Sequence, residues 1–113
     1  MKLDVLLMVL FALLFFGYGV FFGQVSVIHF NSEWNADNNF DITILKDCDI
    51  DSVVICHNPD LKDKYKIKAV PTVIVFDEEE EVARFEPNIM MQLEATKKDI
   101  QKEIDKIMLE KFE

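Results

Sequence analysis

No basic cluster or stripe occurs anywhere in the 113 residues. The chain carries 12 Lys and Arg against 21 Asp and Glu, a formal charge of −9. Nucleic-acid binding works by neutralising phosphates, so this absence excludes it. Adhesion to anionic lipid by charge alone is excluded for the same reason, and the acidity serves solubility. Cysteine is scarce too. Cys48 and Cys56 are the only two, with seven residues between them. The chain has neither a C-x-x-C nor an H-x-x-x-H pair, so a metal site built from Cys48, Cys56, His57 and His29 lacks an anchor. Internal repeats and low-complexity linkers are missing, and the length suits one domain.

What is present begins with one long apolar run. Residues 5–23, VLLMVLFALLFFGYGVFFG, hold no charge. At ~1.5 Å per residue a helix of that length spans roughly 28 Å, close to a bilayer core. Thirteen of its residues are Leu, Val or Phe. At about −0.3 to −0.6 kcal/mol each, they favour insertion by roughly 4–8 kcal/mol. A buried core helix would show a polar face, and none exists here. The run exceeds the roughly 7–15 residues of a signal-peptide core, and Phe21-Phe22-Gly23-Gln24 is a poor cleavage site. Residues 1–23 therefore read as a retained transmembrane signal-anchor, with the lipid bilayer as partner of residues 5–23, and residues 24–113 as the domain. Lys2 and the N-terminal amine flank one end, whereas the other has no Lys or Arg before Lys46. That asymmetry predicts a cytoplasmic N-terminus and an extracytoplasmic domain, in a lumen, a periplasm or the exterior. Such a compartment permits a Cys48–Cys56 disulfide. Cys56, however, closes Ser52-Val-Val-Ile-Cys56, a buried-strand pattern in which a thiol acts as a small hydrophobe, so a bridge is not expected.

After the anchor, QVSVIHFN (24–31) predicts a strand and SEWNADNNFD (32–41) a polar loop. ITILKDCDID (42–51) is consistent with a short helix, a strand or an irregular link. SVVICHN (52–58) predicts a second strand. Pro59 then opens a short helix, with Asn58 as its cap. AVPTVIVFD (69–77) predicts a central strand with proline at its entrance. The acidic run 78–81 predicts a solvated hairpin tip, since contiguous carboxylates point apart and suit no cation. With no glycine there, a longer or irregular turn is expected. VARFE (82–86) is the returning strand. Pro87-Asn88 opens the last element, where Ile89, Leu93, Ile100, Ile104, Ile107 and Met108 form one helical stripe. Glu94–Lys97, Asp99–Lys102 and Glu103–Lys106 supply i,i+3 pairs on its wet side. Its distal part, with Ile107, Met108 and Phe112, is a candidate overhang for a partner. The order β, reduced segment, β, α, β, β, α predicts a four-stranded mixed sheet flanked by helices.

Residues 58–87, NPDLKDKYKIKAVPTVIVFDEEEEVARFEP, resemble the thioredoxin family, which carries there a short helix, Tyr-x-Ile-x-x-(Ile/Val)-Pro-Thr, a hydrophobic strand and a return strand near Arg-Phe. The matching positions are Tyr65, Ile67, Val70, Pro71, Thr72 and Arg84-Phe85. Upstream, VIHFNSEW is similar to the strand that leads into the family's Trp-Cys-Gly-Pro-Cys. Trp34 matches the Trp, Asn35 and Asn38 stand where the two cysteines belong, and His29 stands where the family keeps a buried acid. The resemblance implies a minimal thioredoxin-like α/β fold over 24–113, strongest after 58. It also implies a cis Val70–Pro71 bond beside the site. Only about 18 residues separate Trp34 from the expected second strand, so the first active-site helix should be short or lost.

Thiol–disulfide exchange needs an attacking thiolate and a resolving thiol, and asparagine is neither. The expectation is a membrane-anchored, redox-inactive module with no cofactor. It would bind protein through a peptide groove at Trp34, Asn35, Asn38, Val70, Pro71 and Thr72, or serve as a structural part of a membrane-associated assembly. The alternative is a thiol-disulfide oxidoreductase that uses Cys48 and Cys56.

Overall fold

The computed structural model describes residues 24–111. The expected span at 5–23 and Phe112 lie outside them. Among the described residues, no helix is long and apolar enough to cross a membrane.

Four strands form one mixed sheet in the order β2-β1-β3-β4. β1 (Val25–Asn31) runs parallel to β2 (Asp49–Val54) and antiparallel to β3 (Thr72–Asp77), and β3 runs antiparallel to β4 (Glu80–Phe85). The apolar alternation divides the core between two faces. Val25, Val27, Val73 and Val75 face one side with Ile100, Ile104 and Ile107 of the last helix. Phe30, Ile74 and Phe76 face the other with Ile55, Ile67, Val70 and Tyr65. β3 is covered on both sides, so it is buried from Thr72 to Phe76 and reads as an unbroken apolar run. The outer strands carry acids, Asp49 and Asp51 on β2 and Glu80 and Glu81 on β4. Charges at these edges discourage pairing with further chains.

Several expectations need correction. The second strand starts at Asp49 rather than Ser52 and stops at Val54. Ile55–His57 form a 3₁₀ turn instead. That turn drives Ile55 into the core and leaves Cys56 exposed, not buried. The side chain of Asn58 does not cap the short helix α1 (Pro59–Lys64). It donates back to the Val54 carbonyl at 2.9 Å and so holds the turn.

The hairpin tip is tight, although it lacks glycine. Asp77 pairs with Glu80, and Glu78 and Glu79 have φ of 54° and 76°. Positive φ at both central residues is the pattern of a type I′ hairpin turn. The Glu78 N–H donates to the Gln24 carbonyl at 3.1 Å, and Lys111 Nζ lies 2.9 Å from Asp77 Oδ1, so the tip is tied down from both sides.

The last helix, α2 (Lys97–Lys111), starts well after Asn88. Asn88 Oδ1 accepts from the Met90 and Gln92 N–H groups at 2.8 and 3.1 Å. Met91 takes φ 60°, and Pro87 bridges to Leu93. This turn occupies the N–H groups a helix start would need and leaves Ile89 96% exposed. The helix begins instead at a capping box: Asp99 N–H donates to Thr96 Oγ1 at 3.2 Å, and Thr96 N–H to Asp99 Oδ2 at 2.8 Å. Glu94 therefore precedes the helix and accepts from Asn88 Nδ2 at 3.1 Å. Of the expected ion pairs, Glu103–Lys106 is present at 3.6 Å. Ile107 is buried and Met108 packs on the core, so neither overhangs the domain.

Candidate functional site

β1 ends at Asn31, and a short 3₁₀ segment, Glu33–Asn38, follows in place of a long helix. This segment turns Trp34 outward, 68% exposed, and Asn35 inward, 5% exposed. The Asn35 amide sits at the centre of a polar knot. Its Nδ2 lies 3.2 Å from Asn31 Oδ1, 3.3 Å from the Val70 carbonyl and 3.2 Å from the Met91 carbonyl. Its Oδ1 accepts from Asn38 Nδ2 at 2.8 Å. Asn31 Nδ2 donates to the Asn35 carbonyl at 3.0 Å and to Asn39 Oδ1. Gln92 Nε2 reaches Asn38 Oδ1 at 3.4 Å.

Asn35 thus meets the proline loop through the Val70 carbonyl, and Asn38 is joined to it only by way of Asn35. The Val70–Pro71 bond is cis. Thr72 Oγ1 donates to the Ala69 carbonyl at 2.7 Å and closes that turn. Arg84 steadies the approach to it: its Nη2 donates to the Tyr65 carbonyl at 2.7 Å, its Nη1 to the Lys66 carbonyl at 3.3 Å, and its Nε to Glu81 Oε2 at 2.9 Å. The Tyr65 ring fills the space between Phe30 and Phe76, with centroids 5.4 and 5.5 Å away.

Buried amides of this kind donate and accept hydrogen bonds, but none is a nucleophile. Asn31, Asn39, Met91 and Gln92 belong to the knot yet were not singled out from the sequence. The crowding of asparagine at 31, 35, 38 and 39 was the available signal. His29 is buried, and burial lowers the pKa of its imidazole. Its Nε2 accepts from the Phe40 N–H at 3.2 Å, which requires that nitrogen to be unprotonated.

The two cysteines are both free and stand at opposite ends of β2. A strand of that length holds them roughly 17–20 Å apart at about 3.3 Å per residue. A disulfide needs Cα atoms within about 4.4–6.8 Å. The half-buried Cys48 thiol is pushed up to about 11, first by burial and then by Asp49 and Asp47.

A groove of about 300 Å³ opens beside the knot, lined in part by Trp34, Ile55, Cys56, Ala69, Val70 and Met91, with Lys62 and Lys68 also on its wall. Next to Met91, Ile89 and Met90 are 96% and 65% exposed. Trp34 supplies exposed apolar surface on the groove wall, and the loop that supplies Met91 carries two more exposed apolar residues.

No protein-family model matches the sequence, and no curated protein matches it. Solved structures do. Thioredoxin 1 of Thermosipho africanus is 20% identical, with a TM-score of 0.59 over 78% of this chain and 99% of its own. Fasciola hepatica thioredoxin is 19% identical, with a TM-score of 0.55 over 74% of this chain and 81% of its own. A thioredoxin of Nicotiana alata is 20% identical, with a TM-score of 0.55 over 75% and 74%. With the mixed sheet, the cis proline and the Trp34 turn in place, the chain has a thioredoxin-like fold.

Proposed function

We propose that the protein is a membrane-anchored, redox-inactive thioredoxin-like module that binds another protein through the groove beside Trp34 and Pro71. One observation carries this reading: Asn35, at the first cysteine position, is buried in a knot of amides, while Trp34 and the Met91 loop offer apolar surface directly alongside. An extended segment of a partner needs no thiol to dock there, since backbone pairing and side-chain pockets supply the affinity. The thiol-exchange alternative loses support from the separation of Cys48 and Cys56 along β2, and from the thiol of Cys48, which stays protonated near neutral pH.

The anchor part rests on the uncharged run 5–23. Intact-mass measurement of the membrane-extracted chain checks it, and a mature N-terminus near residue 20–25 would show cleavage instead. The binding part is tested by pull-down from detergent-solubilised membranes with the parent and Trp34→Ala chains. A partner retained by the parent and lost with Trp34→Ala is expected. The same partners in both would place binding elsewhere.

A further inference from the structure

Beyond the groove itself, Glu33, Cys56 and His57 bring a carboxylate oxygen, a thiol sulfur and an imidazole nitrogen together, all within 4.8 Å of one another and all on exposed residues, and Cys56 also lines the groove. Glu33 comes from the Glu33–Asn38 segment, and Cys56 and His57 from the 3₁₀ turn after β2. These elements lie far apart in sequence, so no spacing motif announces the cluster.

We propose that Glu33, Cys56 and His57 form a binding site for Zn²⁺ or a similar borderline-soft divalent ion. The donor set is the first reason. One thiolate, one imidazole and one carboxylate suit zinc and not the harder calcium or magnesium, which take oxygen. The geometry is the second. Bonds of roughly 2.0–2.2 Å to nitrogen and oxygen put neighbouring ligands of a tetrahedral ion about 3.3–3.5 Å apart. His57 Nε2 and Glu33 Oε2 already lie 3.2 Å apart, nearly the edge of such a tetrahedron. The sulfur lies within 4.8 Å of both, on an exposed turn where its side chain can rotate toward the ion. Charge is the third. Zn²⁺ with a thiolate, a carboxylate and a neutral imidazole is electrically balanced. Binding to the neutral imidazole releases one proton, that of the Cys56 thiol, to solvent. The fourth position is left to water or to a donor from a bound partner. A metal here would cross-link the segment that presents Trp34 to the turn that lines the groove.

The competing explanation is a plain ion pair between a protonated His57 and Glu33. Co²⁺ titration of the reduced, chelator-stripped full chain in detergent micelles separates the two. The expected result is saturation at one equivalent, with thiolate-to-cobalt charge-transfer absorption that Zn²⁺ abolishes by displacement. Cys56→Ser should remove that absorption and Cys48→Ser should leave it intact. His57→Ala and Glu33→Gln should each weaken Co²⁺ binding by about tenfold or more. All four positions tolerate substitution if far-UV circular dichroism is unchanged. The site is refuted if no charge-transfer band appears, if the band survives Cys56→Ser or is lost with Cys48→Ser, or if affinity is unchanged in either His57→Ala or Glu33→Gln. Binding to the parent that Trp34→Ala also retains supports the site regardless of whether a protein occupies the groove.

Discussion

Asn35→Ala should be among the most damaging substitutions in the domain, although it removes only one small amide. The residue is 5% exposed. Truncation takes the donor from Asn31 Oδ1 and the Val70 carbonyl, both on buried residues, and from the half-buried Met91 carbonyl. It also removes the acceptor for Asn38 Nδ2. A buried polar group left without a partner costs about 1–3 kcal/mol, whereas a group that water can reach recovers most of its loss. Counting the two buried acceptors alone, Asn35→Ala should destabilise by roughly 2–6 kcal/mol, a large share of the ~5–15 kcal/mol typical of a domain. Asn38 is half-buried, and its loss leaves only the Asn35 Oδ1 acceptor in the interior, so Asn38→Ala should cost about 0.5–1.5 kcal/mol. Urea unfolding of the full chain in detergent, followed by far-UV circular dichroism, measures both. Equal midpoints for Asn35→Ala and Asn38→Ala, or no shift for Asn35→Ala, would refute the view that the amide knot holds this turn to the proline loop.

His29 sets a pH dependence. Burial lowers its folded-state pKa, and Phe40 N–H occupies Nε2. The unfolded chain therefore takes up the proton first, so the stability His29 contributes is complete above about 6.5 and declines as pH falls below it toward the folded value. His29→Gln should flatten the stability profile between pH 7 and 5; matching slopes for the parent and His29→Gln would contradict this. Glu81 is held below the ordinary carboxylate range by its hydrogen bond to Arg84, and its contribution is lost only at lower pH, below that window. Alkylation with iodoacetamide should separate the cysteines. With its pKa near 11, Cys48 is thiolate in about one molecule per thousand at pH 8, so the exposed Cys56 should label much faster under chelator, as read by peptide mass mapping. Equal rates would mean Cys48 is more open than its packing shows.

The parts of the fold that rest on side-chain pattern were legible in the sequence. The apolar run at 72–76 needed cover on both faces, and Val70-Pro71-Thr72 marked its entrance. The shortened segment after Trp34 followed from the few residues available there. Elements decided by individual hydrogen bonds were not legible. The stripe from Ile89 to Met108 is continuous in period, yet the Asx-type turn at Asn88 and the Thr96–Asp99 box move the helix start to Lys97. Ser52-Val-Val-Ile-Cys56 has strand composition, but Asn58 ties the chain into a 3₁₀ turn and exposes the thiol. At the site, the positions of Asn35 and Asn38 could be read from Trp34. Their bonds to Asn31, Val70 and Met91 could not, because those partners converge only once the sheet and the 87–93 loop are formed.

The most direct test of the redox-inactive reading is insulin reduction by the full chain in detergent with dithiothreitol as the electron source. The amides at 35 and 38 and the distance between Cys48 and Cys56 predict a rate equal to that of dithiothreitol alone. A protein-dependent rate that disappears with Cys48→Ser or Cys56→Ser would contradict it and establish thiol exchange at those cysteines.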